Sequence, residues 1–408
     1  MIASLRNRAL AAFAVGHFTN DLFMGVLTGL LPMFKEQFDL TNAQTGFLAF
    51  VLSASGSLLQ PIFGLIADAI RSRWFVAAVI VWDAGFVSLL GFAGSYQQVL
   101  LICIGLGLGS AAFHPYGASG AVMVSETSTI NTSMSFYTVG GTSGYAFGPV
   151  ATAALVTAFG MRGTAGFAVL GVLAAFVLGS QMKRFGAAAH SRVRRAPGDA
   201  EARAPWGLLS AVIGIVILRS WTFMTAITLF PVHFRELGFS AGFYTPLATV
   251  MILAGAVGTI SGGRLADRTG GRVLIVAGQL LSVIPFLVAT RMDDWLVFVF
   301  IGLFGLCSDS SLTVTLLAAQ RLLPGRTGLA SGVILGLGFV GGAVGVPITG
   351  AISDRIGIPD ALAITAVLPI AAACGALLLP AAIFGLGDRA RHGEDRPTGT
   401  PMTADAST

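Results

Sequence analysis

Read in windows of ~19 residues, the chain divides into twelve apolar stretches, at about 9–32, 43–67, 74–94, 97–124, 131–158, 163–182, 207–231, 241–266, 272–290, 294–320, 327–352 and 359–386. Charge, glycine or proline marks each break. A helix needs ~20 apolar residues to cross the hydrocarbon core, so the pattern predicts an all-α membrane protein with twelve transmembrane helices. The first run follows Arg6 and Arg8, as the apolar core of a signal peptide would. It continues past Leu30 and carries His17, Asn20 and Asp21, so it reads as a retained first span.

Composition removes the soluble alternative. Of 408 residues, 55% are hydrophobic and only 11% charged, whereas a water-soluble domain carries ~25% charged residues. The net charge of +5 does not mark a nucleic-acid partner, because the Lys and Arg residues form no single patch. Their distribution sets orientation instead. Eighteen lie with the N-terminus, the even-numbered loops and the C-terminal tail, five lie on the opposite side, and only Arg219 falls within a span. By the positive-inside rule both termini are cytoplasmic, in a multi-pass protein of the cell inner membrane. Cys103, Cys307 and Cys374 sit far apart in apolar runs and read as packing residues. No metal and no cofactor is expected.

The two halves repeat one another. Pro32 and Pro231 are 199 residues apart, as are Asp68 and Asp267, the latter pair inside Gly64-Leu65-Ile66-Ala67-Asp68 and Gly263-Arg264-Leu265-Ala266-Asp267. Pro149 and Pro347 are 198 apart, behind Gly144-x-x-x-Gly148 and Gly341-x-x-x-Gly345. A duplicated unit follows: two pseudo-symmetric six-helix bundles, at 1–182 and 207–386. The stretch 183–206, basic and rich in Ala, Pro and Gly, reads as a cytoplasmic linker, and 387–408 as a disordered cytoplasmic tail. Parallel repeats around a cavity are a recurrent transporter plan.

These landmarks resemble the major facilitator superfamily over nearly the whole chain outside linker and tail. Its G-x-x-x-D-R/K-x-G-R-R/K signature is well formed at Gly263, Asp267, Arg268, Gly270, Gly271 and Arg272. The first copy keeps Gly64, Asp68 and Arg73 but has Ala69, Arg71 and Ser72 where the family has a basic residue, glycine and a basic residue. Within the superfamily the chain is most similar to the fosmidomycin-resistance type of exporter. That similarity rests on His17-Phe18-Thr19-Asn20-Asp21, on Ser57-Leu58-Leu59-Gln60-Pro61-Ile62-Phe63-Gly64 and on Ala112-Phe113-His114-Pro115. Gly144-x-x-x-Gly148-Pro149 resembles the antiporter pattern of span five, with Ala151-Thr152 replacing the glycine pair that often follows. The resemblance implies the two-bundle fold and efflux by antiport, including of phosphonate-like antibiotics.

An ionisable side chain at bilayer depth costs ~2.5–3.5 kcal/mol on insertion scales, so each one needs a cavity or a partner. His17, Asn20 and Asp21 occupy i, i+3 and i+4 of span one and share a face. The repeat offset sets Arg219 of span seven opposite Asn20, one position from the mate of Asp21. The expectation is a membrane-embedded Asp21–Arg219 pair, formed in at least one state, with Asp21 binding the proton and Arg219 binding substrate or latching. The alternative is that each bonds to neighbouring helices. His114, before Pro115 in span four, either relays protons or fastens a kink. Asp309, among Ser308, Ser310 and Ser311 of span ten, joins His17, Asn20 and Arg219 as a candidate substrate contact. Asp83 lies mid-way along span three, facing a direction the sequence leaves open.

Gly336-x-Gly338-x-x-Gly341 matches a dinucleotide fingerprint by letter, yet no strand precedes it, so it reads as helix packing. Gly148-Pro149 and Pro347 are expected to bend spans five and eleven where they pack across the interface between halves, contributing to gating. By the family resemblance, Asp68 with Arg73, and Asp267 with Arg268 and Arg272, form a conformational latch on the cytoplasmic side.

The resulting expectation is a proton-coupled secondary transporter, not an enzyme, working by alternating access. It exports a small drug-like or polar compound, with protons, the lipid bilayer and that small-molecule substrate as its partners, and acts as a monomer. The alternative is a proton-coupled uptake symporter for a small organic anion, with Arg219 as its clamp.

Overall fold

The computed structural model describes residues 7–60, 62–63, 74–125, 130–189, 205–323 and 333–385. They form helices α1 (Arg8–Gln37), α2 (Asn42–Leu58), α3 (Phe75–Leu89), α4 (Tyr96–Met123), α5 (Ile130–Phe159) and α6 (Gly166–Ala189) in the first half. The second half has α7 (Trp206–Glu236), α8 (Ala241–Thr269), α9 (Gly271–Ala289), α10 (Val297–Asp309), α11 (Leu312–Leu322), α12 (Gly338–Ile356), α13 (Ile358–Thr365), α14 (Val367–Leu378) and the short α15 (Ala381–Phe384). No strand occurs among the described residues.

Nine segments among the described residues are long and apolar enough to cross a membrane, with α10–α11 and α13–α14 each acting as one broken span. Helices α2, α5 and α12 stand at the three remaining stretches of the twelve-span pattern. The break after α10 falls at Ser310-Ser311, where Ser310 donates to the Cys307 carbonyl at 2.7 Å and Ser311 to that of Ser308 at 3.2 Å. Hydroxyls that engage nearby carbonyls in this way compete with the helical ladder. Helix α6 runs through Ala189, so residues 183–189, expected in the linker, are helical. Most of that linker and the tail from 387 lie outside the described residues.

The duplication reaches the turns. Asp39 after α1 and Gly238 after α7, 199 apart, both adopt positive φ, at 51° and 89°. Gly160 after α5 and Gly357 after α12 do the same, at 66° and 88°. Equivalent chain reversals therefore use equivalent left-handed residues, which glycine adopts without steric cost.

Within each half, glycines bring helices into backbone contact. On α5, Gly140, Gly144 and Gly148 lie against Ala14, Phe18 and Leu22 of α1; a Cβ at Gly140 would stand 2.7 Å from the Ala14 carbonyl oxygen, and one at Gly144 would overlap that of Phe18. On α12, Gly338, Gly341 and Gly342 lie against Val216, Ile217 and Ser220 of α7. The fingerprint-like glycines thus include two that serve helix packing. Gly148-Pro149 packs on α1 of its own half, where Gly25 and Gly29 open the facing backbone. Helices α5 and α12 also pack across the interface between halves, as expected: Ala146 of α5 accepts from Thr249 Oγ1 of α8 at 2.5 Å, and Pro347 of α12 lies against Gly46 of α2.

Among the described residues, charged contacts join the halves at the end of α1 away from the N-terminus. Lys35 pairs with Glu236 at 2.5 Å, and Arg235 pairs with Glu36. At the repeat offset of 199, Glu36 is bonded to its own equivalent, Arg235, while Lys35 and Glu236 are not each other's equivalents. Beside them Asp354 of α12 accepts from the backbone N–H groups of Asn42 (2.7 Å) and Ala43 (3.1 Å), a carboxylate at the positive end of α2. Gly46 and Gly350 let α2 and α12 touch there.

Two predictions follow from this packing. Glu36→Gln with Glu236→Gln removes both bridges, each worth ~0.2–1 kcal/mol as an exposed pair. The open-to-sealed ratio of that face should rise by a few-fold to about thirty-fold, read by thiol labelling of a cysteine placed there, and the Lys35→Glu, Glu236→Lys swap should restore it. Gly144→Ala should destabilise by ~1–3 kcal/mol through overpacking. Gly214→Ala, at a helical site with open space, should stabilise by ~0.5–1 kcal/mol; thermal unfolding in detergent compares the two.

Candidate functional site

The polar face of α1 is gathered by α4 and α5. His17 Nδ1 lies 2.9 Å from the Tyr137 carbonyl oxygen. A carbonyl only accepts, so Nδ1 carries the hydrogen and donates. Nε2 then faces Asp21 Oδ2 at 3.3 Å. Two bare acceptors would repel at that distance, so the contact holds a proton, on the imidazole or on the carboxyl. His114 Nε2 stands 3.5 Å from Asp21 Oδ1. Asn20 Nδ2 donates to the same oxygen at 2.8 Å and to Ser110 Oγ at 3.3 Å.

Ring packing fixes these orientations. The His17 imidazole stacks on Tyr137 with centroids 4.2 Å apart, and His114 meets it edge-on at 5.3 Å. Gly141 makes the seat possible: a Cβ there would overlap the His17 ring and lie 2.6 Å from Asp21 Oδ2. The Asp21 and His114 side chains keep 17% and 29% of their exposure, so the cluster is enclosed yet reachable. Sequence reasoning named His17, Asn20, Asp21 and His114 but missed Tyr137, Ser110 and Gly141. The available signal was the doublet Gly140-Gly141, one turn before Gly144.

His17, Asp21 and His114 bring one ligand atom each to within 4.8 Å of one another, the one such group found among the described residues. Two imidazoles and a carboxylate suit a transition-metal ion as well as a proton.

The expected Asp21–Arg219 pair is not formed. Arg219 Nη1 binds Asp309 Oδ1 of α10, and Nη2 donates to Ser220 Oγ at 3.2 Å. The reason is local supply. Asp21 is already held by His17, Asn20 and His114, while Asp309 is brought to Arg219 within the second half, seated on Gly255 of α8, where a Cβ would lie 2.6 Å from its Oδ2. Thr259 Oγ1 also donates to the Asp309 backbone carbonyl at 3.0 Å. The Arg219 side chain is 3% exposed and Asp309 14%. Each half thus neutralises its own buried charge.

Of the expected latch, Asp68 and Arg73 lie outside the described residues. Asp267 and Arg268 occupy the last turn of α8 and Arg272 the first turn of α9. Arg272 donates to the Leu379 carbonyl at the end of α14, and no ion pair joins Asp267 to either arginine among the described residues.

This arrangement meets its relatives across almost its full length. The family model described as Major Facilitator Superfamily matches residues 13–214 and 209–402. An uncharacterized MFS-type transporter, YfnC of Bacillus subtilis (strain 168), is 31% identical over 376 residues, covering 88% of this chain and 90% of its own. The fosmidomycin resistance protein of Escherichia coli (strain K12) is 29% identical over 369 residues, with the same coverages. Among solved structures, a bacterial homolog of the human lysosomal transporter Spinster superposes with a TM-score of 0.75 at 15% identity, covering 90% of this chain and 95% of that one, which shows a shared fold. With two duplicated bundles, an enclosed polar cluster on the first helix and a family match to both halves, the chain is a transporter that belongs to the Major Facilitator Superfamily.

Proposed function

We propose that the protein is a proton-coupled exporter of a small drug-like or polar compound, working as a monomer by alternating access in the inner membrane with both termini cytoplasmic. The observation that carries this reading is the His17–Asp21 contact. Its Nδ1 is committed to a backbone carbonyl, so the second nitrogen and the carboxylate share one proton at a site open to small molecules. A neutral or cationic substrate that binds the Asp21 carboxylate competes with that proton, and competition at one site gives exchange in opposite directions. The Escherichia coli relative named for fosmidomycin resistance supports an exported drug-like substrate.

The sealed contacts at Lys35, Glu36, Asn42 and Asp354 lie at the end of α1 opposite the termini. On this reading the structure is closed toward the outside and receives substrate from the cytoplasm. Asp267, Arg268 and Arg272 with Asp68 and Arg73 engage when the cytoplasmic side shuts, and the tight Gly148-Pro149 contact keeps α5 moving with α1. His17, Asn20, Arg219 and Asp309 form the two walls that meet substrate, with His114 as proton partner to Asp21. The uptake symporter for an organic anion needs Arg219 as a free clamp. Its burial and its bond to Asp309 weigh against that, since an anion would have to displace a buried carboxylate.

Asp21→Asn should abolish protonophore-sensitive accumulation of a cationic drug-like probe such as ethidium in everted vesicles, lowering it ~100-fold or more as expected for loss of a positioned proton-transfer group, while downhill exchange continues. Normal accumulation by the mutant would remove Asp21 from coupling. Arg219→Ala should cost ~3–5 kcal/mol by stranding a buried charge, seen as lost folded yield. The neutral pair Arg219→Gln, Asp309→Asn should recover folding yet lose export; a folded double mutant with full export would make the pair purely structural.

A further inference from the structure

Asp83 is the one ionisable residue of α3. It is fully buried, at 0% exposure. Neither carboxyl oxygen has a hydrogen-bond donor among the described residues. Its position is built rather than accidental. The carboxyl rests on Gly109 of α4, where any Cβ would overlap it, and the neighbouring Trp82 locks the two helices by donating from Nε1 to the Gly105 carbonyl at 2.8 Å. Gly109 adjoins Ser110, whose hydroxyl binds Asn20, which in turn binds Asp21. Asn20 Oδ1 is likewise buried without a donor.

The elements packed on α3 supply no cation to this carboxyl. Helix α6 has no titratable residue from Gly166 to Gln181, and the turn before it has Arg162, which is exposed. Helix α4 brings Tyr96, Cys103, His114 and Tyr116. Helix α1 brings His17 and Asp21, with Arg8, Lys35 and Glu36 near its ends. Both imidazoles are engaged with Asp21. The charge whose field reaches Asp83 is that of Asp21, which has the same sign. An ionised carboxylate without donor or counter-ion in such a place costs several kcal/mol, whereas the neutral acid does not.

We propose that Asp83 is a second proton-binding site, holding its proton in this state and exchanging it with the Asp21 cluster when the helices around it rearrange during the cycle. The transport half of this statement rests on the proton-coupled reading, and the occupancy half does not. No covalent step is involved; a proton leaves one carboxyl oxygen and is taken up by another acceptor.

Infrared spectroscopy of the purified protein in nanodiscs at neutral pH tests occupancy. A protonated-carboxyl C=O band should be present in the parent protein, absent in Asp83→Asn and retained in Asp21→Asn. Asp83→Glu should move the band, which keeps the assignment testable if the Asn variant folds poorly. A spectrum without such a band, or one unchanged by Asp83→Asn, overturns the proposal. With ethidium as the transported probe in vesicles, Asp83→Asn should lower the protons moved per molecule by about one. An unchanged count would make Asp83 a buried neutral acid with no part in transport. Failure of Asp21→Asn to affect accumulation would reject coupling while leaving the Asp83 band in place.

Discussion

A bare charge in the lipid interior is what this sequence can least tolerate, and the whole arrangement follows from how that cost is met. The chain meets it twice and separately. In the first half His17, Asn20 and His114 surround Asp21. In the second, Arg219 and Asp309 close on each other. Had Asp21 and Arg219 paired across the centre, every swing between states would have to break a buried ion pair, an event costing ~3–5 kcal/mol. With each half neutralised internally, relative motion leaves both buried clusters intact and breaks the exposed bridges at Lys35 and Arg235, the contacts of α2 with α12 around Asp354 and the Thr249–Ala146 hydrogen bond.

The distribution of glycine has the same mechanical sense. Where α1 meets α5 and α7 meets α12, glycines remove the side chain and let backbones touch. Such contacts are stiff, because a packed interior has two arrangements or one rather than a continuum. They tie the helices of one half into a body that moves as a unit. Between the halves the sealing contacts are long charged side chains and helix-end caps, individually weak and reversible.

The span count, the duplication and the polar face of α1 were legible in the sequence because they are periodic or local. His17 and Asp21 stand one helical turn apart, and that spacing alone places them together. The partner of Arg219 was not legible. A repeat offset locates backbone positions, but a guanidinium reaches several ångströms from its backbone and binds whichever carboxylate its own bundle supplies. Asp309 is 90 residues away, and its approach depends on Gly255 of a third helix. Gly141 was missed for a related reason: a glycine that seats an imidazole looks, in sequence, like any other glycine on a packed span. The packing of α5 on α8 was legible in Gly148-Pro149, but its contact with α1 within its own half was not, because the motif marks close approach without naming every neighbour.

The pseudo-symmetry is therefore one of backbone and not of chemistry. Turns, prolines and glycine contacts recur at an offset near 199, yet His17 and Asp21 correspond to Val216 and Ser220, and Asn20 to Arg219. One half carries imidazoles and carboxyls, groups whose protonation can change, and the other carries a guanidinium that stays charged and is already matched by a carboxylate. A carrier that uses a proton gradient needs one element whose charge varies and one against which the variation is felt. A duplicated fold supplies two equivalent walls, and divergence at three positions on each of α1 and α7, with His114 and Asp309 from neighbouring helices, gives one wall titratable groups and the other a matched ion pair.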